Sequence, residues 1–200
     1  MASKTIYTVK YRRALAGKTD YKTRLKLLLS GTPRLVIRKS LTTISMQVIS
    51  YTPTGDRVHV TATSRMLAQY GWKAGNKSTS AAYLTGLLTA QHAHQKKITN
   101  CIADIGGTTA VKGSVVYAAL AGAVDGGLSI PATKTVFPGQ DRLLGKHVAA
   151  YANKLKTTPE RYQRQFAQYL KNGLDPEQLP AHVETVKAKI IGDTHDKARK

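Results

Sequence analysis

The stretch RLVIRKSLTTISMQVISYTPTGDRVHVTAT, residues 34–63, decides the fold because three strand-like segments follow one another in it. Residues 34–39 are short and rich in β-branched side chains, while residues 43–50 and 57–63 alternate apolar and polar side chains. Such alternation is typical of half-buried strands. Short turns separate the segments, and Pro53 and Gly55 stand where a turn favours them. The sequence therefore predicts an antiparallel three-stranded meander.

A helix, a strand and a second helix are predicted after the meander. Residues 80–97 carry an apolar stripe at helical spacing, residues 98–105 resemble a buried strand, and residues 114–126 form a helix rich in small side chains. A strand, a crossover helix and a strand in that order favour a parallel fourth strand. Gly122 and Gly126 are expected to let the second helix approach the sheet closely. The predicted fold class is α/β, with a mixed sheet.

We divide the chain into three parts. Residues 1–33 are predicted to be a basic N-terminal arm with a helix, residues 34–135 an α/β body, and residues 136–200 a C-terminal helical extension. Prolines separate the helical patches of this extension, which are predicted at about 142–155, 159–171 and 180–191. We expect the extension to pack on the body rather than to form an independent domain.

The charge of the chain is large and unevenly placed. Its 31 Lys and Arg residues against 11 Asp and Glu residues give a formal net charge of +20. Residues 1–40 contain 11 basic and 1 acidic side chain, residues 41–150 contain 10 and 4, and residues 151–200 contain 10 and 6. Half of the surplus thus lies in the first fifth of the chain. A surplus of this size favours a polyanionic partner, and we expect nucleic acid.

Several classes of protein are excluded by composition. With 42% hydrophobic residues the chain is not a disordered tail, and no run approaches the roughly 18 apolar residues of a membrane span. The start is basic but lacks the apolar segment of a secretory signal. The single cysteine, Cys101, forms no internal disulfide and no cysteine-based zinc site, which agrees with a reducing compartment. We therefore expect an intracellular protein without a membrane partner.

A helix is predicted within the basic arm, capped by Thr19 and running to about Ser30. Its apolar side chains recur at helical spacing and are expected to dock on a core, with cations along both edges. The stripe consists of Tyr21, Leu25, Leu28 and Leu29, and the edge cations are Lys22, Arg24 and Lys26. Only Asp20 offers a negative charge over the first forty residues. This scarcity favours polyanion binding over a solvated surface that pairs its own charges.

Aromatic side chains lie among the basic residues, where a ring can stack on an unpaired base while cations hold phosphates. These rings are Tyr7, Tyr11, Tyr21, Tyr70 and Trp72. We interpret Tyr21 as a packing residue, whereas Tyr11 and Trp72 are expected to contact RNA or a partner. No zinc finger, basic zipper or helix-turn-helix pattern is visible.

Motifs for catalysis or metal binding are weak. Gly17-Lys18-Thr19 resembles the end of a phosphate-binding loop, but position 12 is arginine instead of the required glycine. The turn from Asp104 to Thr108, DIGGT, resembles the phosphate-contacting turn of sugar kinases and actin-like ATPases. It follows a fourth strand, however, and the chain has no room for the second domain of those enzymes. His92 and His94 point to different faces of a helix. We therefore predict no catalytic residue, metal site, cofactor or small-molecule substrate.

Five blocks of the sequence are similar to one known family, the archaeal and eukaryotic-type large-subunit ribosomal protein that binds 5S ribosomal RNA. The resemblance runs collinearly over about residues 7–155. The blocks are YRRALAGKTDY at 11–21, RLKLLLSGTPRLVIRKS at 24–40, YGWKAGNKSTSAAYLTGLL at 70–88, KGSVVYAALAGAVDGGLSIP at 112–131, and Phe137-Pro138 with Arg142 and GKHVAAY at 145–151. The length of 200 residues fits the shorter archaeal form of this family better than the longer eukaryotic form.

The resemblance implies an α/β body bound to 5S rRNA in the central protuberance of the large subunit. It also implies that the arm reaches large-subunit rRNA and that a neighbouring 5S-binding ribosomal protein and other large-subunit proteins lie beside it. The predicted RNA contacts combine the residues that the resemblance implies with the edge cations of the arm helix. They are Lys10, Tyr11, Arg12, Arg13, Lys18, Thr19, Tyr21, Lys22, Arg24, Lys26, Arg34, Arg38, Lys39, Trp72, Lys73, Asn76 and Arg142.

Our first hypothesis is a non-enzymatic, cytoplasmic constituent of the large ribosomal subunit that binds 5S rRNA and helps attach it to large-subunit rRNA. The alternative from another class is a nucleotide-dependent phosphotransferase that uses the Asp104 to Thr108 turn. A general DNA-compacting protein is a third possibility, and it would show no preference for RNA over duplex DNA.

Overall fold

The structure is a computed structural model that describes residues 9–197, with side chains as far as Asp193. Tyr7 and the first eight residues of the arm lie outside the described residues. The strands are β1 (Arg34–Lys39), β2 (Ile44–Thr52), β3 (Gly55–Thr63) and β4 (Ile102–Asp104). The helices are α1 (Arg12–Leu15), α2 (Tyr21–Leu28), α3 (Thr79–Gln95), α4 (Val115–Asp125), α5 (Gln140–Leu144), α6 (Lys146–Leu155), α7 (Pro159–Lys171) and α8 (Leu179–Lys197). Short 3-10 helices cover Ser64–Tyr70, Lys134–Val136 and Pro176–Gln178.

The four strands form one mixed sheet in the order β3-β2-β1-β4. β1, β2 and β3 pair antiparallel, and β4 pairs parallel with β1. The predicted fold class is thus confirmed, including the parallel strand reached through a helix. β4 is shorter than the predicted segment 98–105, because only Ile102, Ala103 and Asp104 pair with β1.

The two faces of the sheet differ in chemistry. Leu35 and Ile37 of β1 are fully buried and belong to the hydrophobic core. Side chains alternate along a strand, so Arg34, Val36 and Arg38 point to the opposite face, which we call the outer face. Asp104 is paired with Val36 across the parallel ladder and lies on that face too. Over residues 34–38 of β1, the outer face therefore carries two arginines while the inner face carries buried apolar side chains.

Helices α3 and α4 pack against each other at the centre of the molecule. α3 is buried over almost its whole length. A Cβ at Gly86 of α3 would collide with the carbonyl oxygen of Ala119, and one at Gly122 with the carbonyl oxygen of Tyr83. Gly126 likewise faces Ala90. The expectation that Gly122 and Gly126 bring a helix close to the sheet is wrong, since they bring it close to another helix.

The C-terminal helices are joined to the core mainly by α8. Val183, Val186 and Ile190 of α8 are fully buried in the same hydrophobic cluster as the sheet. The predicted helix 142–155 is two helices, because Gly145 adopts a φ of 82° between α5 and α6. In α7 the ring of Phe166 is buried, and the rings of Tyr151, Tyr162 and Tyr169 pack around it.

Candidate nucleic-acid interface

The arm helix α2 begins with an aspartate cap. The Asp20 carboxylate accepts hydrogen bonds from the backbone N–H groups of Lys22 and Thr23, at 3.0 and 3.2 Å, and from the Thr23 hydroxyl at 2.7 Å. These bonds, first that of the Thr23 hydroxyl, lower the pKa of Asp20. The prediction that Thr19 is the cap is wrong by one residue. The Thr19 hydroxyl instead accepts a hydrogen bond of 2.9 Å from Nε of Arg13, which links α1 to the residue just before the cap of α2.

The apolar stripe of α2 does not dock on a core, contrary to the prediction. Leu25 and Leu29 are 62% and 79% exposed, and α2 contains no buried residue. The half-buried side of α2 carries Arg24, Leu27 and Leu28. An ion pair of Arg24 with the sheet sets this orientation, and helical periodicity alone does not reveal it. The ring of Tyr21 is partly exposed and lies 5.0 Å from that of Tyr11.

A chain of ion pairs connects α2 to the outer face of the sheet. Arg24 donates to Asp56 at 2.8 Å, and Arg34 donates to Asp56 and to Asp104, both at 2.9 Å. Arg38 completes the chain with a 3.0 Å bond to Asp104. The hydrogen bond from Arg24 is the main reason why the pKa of Asp56 is lowered. One ion pair of this chain, Arg24 with Asp56, therefore joins the arm to the body, and such charge-assisted hydrogen bonds are stronger than neutral ones.

This chain of ion pairs changes the roles of three predicted RNA contacts. The side chain of Arg34 is only 4% exposed, and both of its terminal nitrogens are engaged. Arg24 is more exposed but is committed to Asp56. Arg38 is about half exposed and also donates to the Asp104 carbonyl oxygen. Arg34 therefore stabilises the sheet, while Arg24 and Arg38 line the surface with part of their charge already neutralised.

The remaining cations of the arm and of β1 have no such partner. In the part of the chain that the structure describes, they are exposed and form no ion pair within 4.0 Å. These free cations are Lys10, Arg12, Arg13, Lys18, Lys22, Lys26 and Lys39. We call them the arm cations. Unpaired exposed cations at this density are the electrostatic pattern of a nucleic-acid-binding surface.

The second predicted block, residues 72–76, is held by the C-terminal helices. Trp72 is only 6% exposed and its ring stacks on His182 at 5.2 Å. The expectation that Trp72 contacts RNA is therefore wrong, because its ring lies in the core. The backbone of Lys73 donates to His182 at 3.2 Å and accepts from Asn172 at 2.7 Å. Lys73 itself is exposed and Asn76 is half-buried.

Arg142 is exposed on α5, a helix that packs against α3 and α8. The hydrogen bonds given above for the backbone of Lys73 also involve the C-terminal region rather than the arm. The structure therefore groups the arm cations with β1 and places Lys73, Asn76 and Arg142 on elements joined to α8 and α3. The sequence missed Asp56, whose place at the start of β3 carries no signal for an ion pair with residues 22 and 32 positions away.

The geometry is unfavourable for the phosphotransferase alternative. The Asp104 carboxylate accepts from Arg34, Arg38 and the backbone N–H of Gly106, at 2.9 to 3.0 Å. The Asp104 carboxylate therefore already accepts hydrogen bonds on both oxygens and is not free to bind a metal ion that carries a nucleotide. Among the described side chains, which end at Asp193, no three His, Cys, Asp or Glu groups are close enough to hold a metal ion. Cys101 is buried, and burial raises the pKa of its thiol to about 11.

None of the described helices is both long and apolar enough to cross a membrane. Fold and surface together define a basic α/β protein whose N-terminal region presents unpaired cations beside a mixed sheet. A family model described as "Ribosomal large subunit proteins 60S L5, and 50S L18" matches residues 5–100, which include the arm, the meander and α3. The match identifies residues 5–100, just under half of the chain, as a member of this family of large-subunit ribosomal proteins. Its class is thus that of an RNA-binding structural component of the large ribosomal subunit, active in translation.

Proposed function

We propose that this protein binds 5S rRNA and helps attach it to large-subunit rRNA in the central protuberance of the cytoplasmic ribosome. One observation carries the proposal: seven arm cations are exposed and unpaired in a region that the family model covers almost entirely. A folded RNA offers the regularly spaced phosphates that such a surface can neutralise. The role is structural and involves no catalytic step.

The arm cations are the proposed phosphate contacts. Tyr11, Thr19 and Tyr21 lie among them, and the exposed ring of Tyr11 can stack on an unpaired base. Arg24 joins the arm to Asp56 of the sheet, where Arg34 and Arg38 hold the carboxylates of Asp56 and Asp104 in place. Lys73, Asn76 and Arg142 are proposed to form a second contact, with RNA or with a neighbouring protein.

The three-part division assigns these roles along the chain. The arm, residues 1–33, and the body, residues 34–135, are proposed to bind 5S rRNA and large-subunit rRNA. The extension, residues 136–200, is proposed to support the second contact. The neighbouring 5S-binding protein and other large-subunit proteins are the proposed protein partners, and exposed leucines such as Leu25 and Leu29 support apolar contacts with a neighbour after assembly.

The test is a binding titration at several salt concentrations. The full chain is mixed with 5S rRNA or with a scrambled RNA of equal length. We expect 5S rRNA to bind more tightly, and the logarithm of its affinity to fall steeply with the logarithm of salt concentration. Equal affinity for both RNAs would contradict the proposal. Duplex DNA serves as a third ligand, because a DNA-compacting protein would bind it as tightly as RNA.

A further inference from the structure

A pocket lies between the arm and the turn that follows β4. The arm contributes Arg13, Lys18 and Thr19 to its wall, and the body contributes Arg38, Gly106 and Gly107. Its volume is about 240 Å³. Small-molecule sites usually have roughly 300–1,000 Å³, so this pocket suits one small charged group better than a whole nucleotide.

The pocket carries a surplus of positive charge. Five cations line it, since Arg24 and Arg34 belong to its wall, together with the carboxylates of Asp20 and Asp104, and Asp56 pairs with Arg24 and Arg34. Both carboxylates are already used: Asp20 caps α2, and Asp104 accepts from two arginines. Lys18 and the terminal nitrogens of Arg13 have no acidic partner among the described residues. The pocket therefore favours an anion.

A buried polar atom at the pocket lacks a partner. Arg34 is 3% exposed, and its Nε is enclosed without any hydrogen-bond acceptor. Buried N–H groups in proteins almost always find an acceptor, so an orphaned one next to a cavity needs an explanation. This Nε is closed to a water-sized probe, so an anionic oxygen in the pocket, which Arg34 lines, supplies the missing acceptor only when the Arg34 guanidinium shifts on binding.

Two glycines leave one wall of the pocket without side chains. Gly106 has a φ of 62°, and a Cβ there would meet the guanidinium of Arg38. Gly107 has no atom within 4 Å of the position that a Cβ would occupy. The backbone of this turn can therefore approach a bound group closely, and a side chain introduced at residue 107 would enter open space.

From the charge, the orphaned Nε and the open glycine turn, we propose that this pocket binds a single phosphate group of an RNA backbone. The phosphate bridges Arg13 and Lys18 of the arm to Arg38 and the Gly106-Gly107 turn of the body. It thereby holds the arm in place on the sheet when RNA is bound. The inference rests on the proposed function, since it names one contact of the same RNA surface. Inorganic phosphate shares this chemistry, and the experiment distinguishes the two sources.

The first experiment places a carboxylate in the pocket with Gly107→Glu. The matched control is Thr109→Glu, which makes the same charge change at an exposed residue outside the pocket wall. We expect Gly107→Glu to weaken 5S rRNA binding at least about tenfold and to lower the salt slope by roughly 0.7 to 0.9, as loss of one phosphate contact requires. Thr109→Glu should weaken binding less than about threefold, because its carboxylate lies outside the pocket wall and is screened by salt.

The same experiment distinguishes a folding defect, a wrong pocket inference and a wrong proposed function. The new carboxylate enters a cluster of cations, so the melting temperature of Gly107→Glu should be no lower than that of the wild type. If wild-type protein prefers 5S rRNA over scrambled RNA but the two variants bind equally, the pocket inference is wrong and the proposed function stands. If the wild type shows no preference, the proposed function itself is wrong.

The second experiment identifies the source of the phosphate. The Nε–H signal of Arg34 is followed by NMR at constant ionic strength, with inorganic phosphate or with 5S rRNA added. We expect RNA to shift this signal in wild-type protein and in Thr109→Glu, but not in Gly107→Glu. A shift with inorganic phosphate alone would replace RNA by free phosphate as the ligand and overturn the proposed bridge. No shift with either ligand would overturn the pocket as a phosphate site.

Discussion

The arm and the central helix pair are held in different ways. α3 and α4 pack backbone against backbone through glycines and bury most of their residues. The arm helices α1 and α2 contain no buried residue, and α2 is connected to the sheet by ion pairs. Apolar burial stabilises the body without any ligand. The arm leaves its cations free, so its best partner is a polyanion that completes its contacts.

The largest expected effect comes from Gly86→Ala at the centre of the body. The new Cβ would collide with the backbones of Ala119 and Ala123, which cannot move aside as a flexible side chain can. Overpacking of this kind costs roughly 1–3 kcal/mol and sometimes more, and we expect the free energy of unfolding to fall by at least about 3 kcal/mol. Urea denaturation measures it. Gly75→Ala, where a Cβ meets no atom within 4 Å, is the control and should change little.

The next effect is expected at the boundary between the two regions, with Arg34→Met. Removing one partner of a buried ion pair costs roughly 3–5 kcal/mol. Asp56 and Asp104 each retain another arginine, so we expect a loss of about 2 kcal/mol in urea denaturation. Lys39→Met removes the same charge from the exposed end of the same strand and should stay within about 0.5 kcal/mol. Equal losses in the two variants would show that the ion pairs contribute nothing specific.

The arm should respond in the opposite sense, with a change in binding but not in stability. Replacing Arg12 and Arg13 by glutamine removes two exposed cations, and we expect the affinity for 5S rRNA to fall about tenfold and the salt slope by about 2. The melting temperature of the free protein should not change, because neither residue is buried. Arg161→Gln with Arg164→Gln, an equal charge change on α7, should weaken binding far less. A drop in melting temperature that accompanies the loss of binding would make Arg12 and Arg13 structural residues.

The sequence predicted the body better than the arm, for a physical reason. In β2, alternation of Ile44, Met46 and Val48 with polar residues identifies the strand and also its buried face, because a sheet has only two faces. In α2, periodicity identifies the helix but not which side faces the protein, since Arg24 and its distant partner Asp56 decide that. Trp72 was misplaced for a similar reason: basic neighbours in sequence do not reveal that the ring packs on His182.

The smallest expected effect tests that lesson directly. Leu25 and Leu84 both belong to apolar stripes at helical spacing, but Leu25 is 62% exposed on α2 and Leu84 is fully buried in α3. Leu84→Ala should cost about 2–5 kcal/mol, as core truncations of leucine do. Leu25→Ala should change the free energy of unfolding by less than about 0.5 kcal/mol, because water already surrounds most of its side chain. Urea denaturation of the free protein distinguishes the two, and a comparable loss in Leu25→Ala would mean that the stripe is docked in solution. If Leu25→Ala instead leaves the free protein unchanged but lowers incorporation into large subunits, the stripe of α2 is a surface that is buried only on assembly.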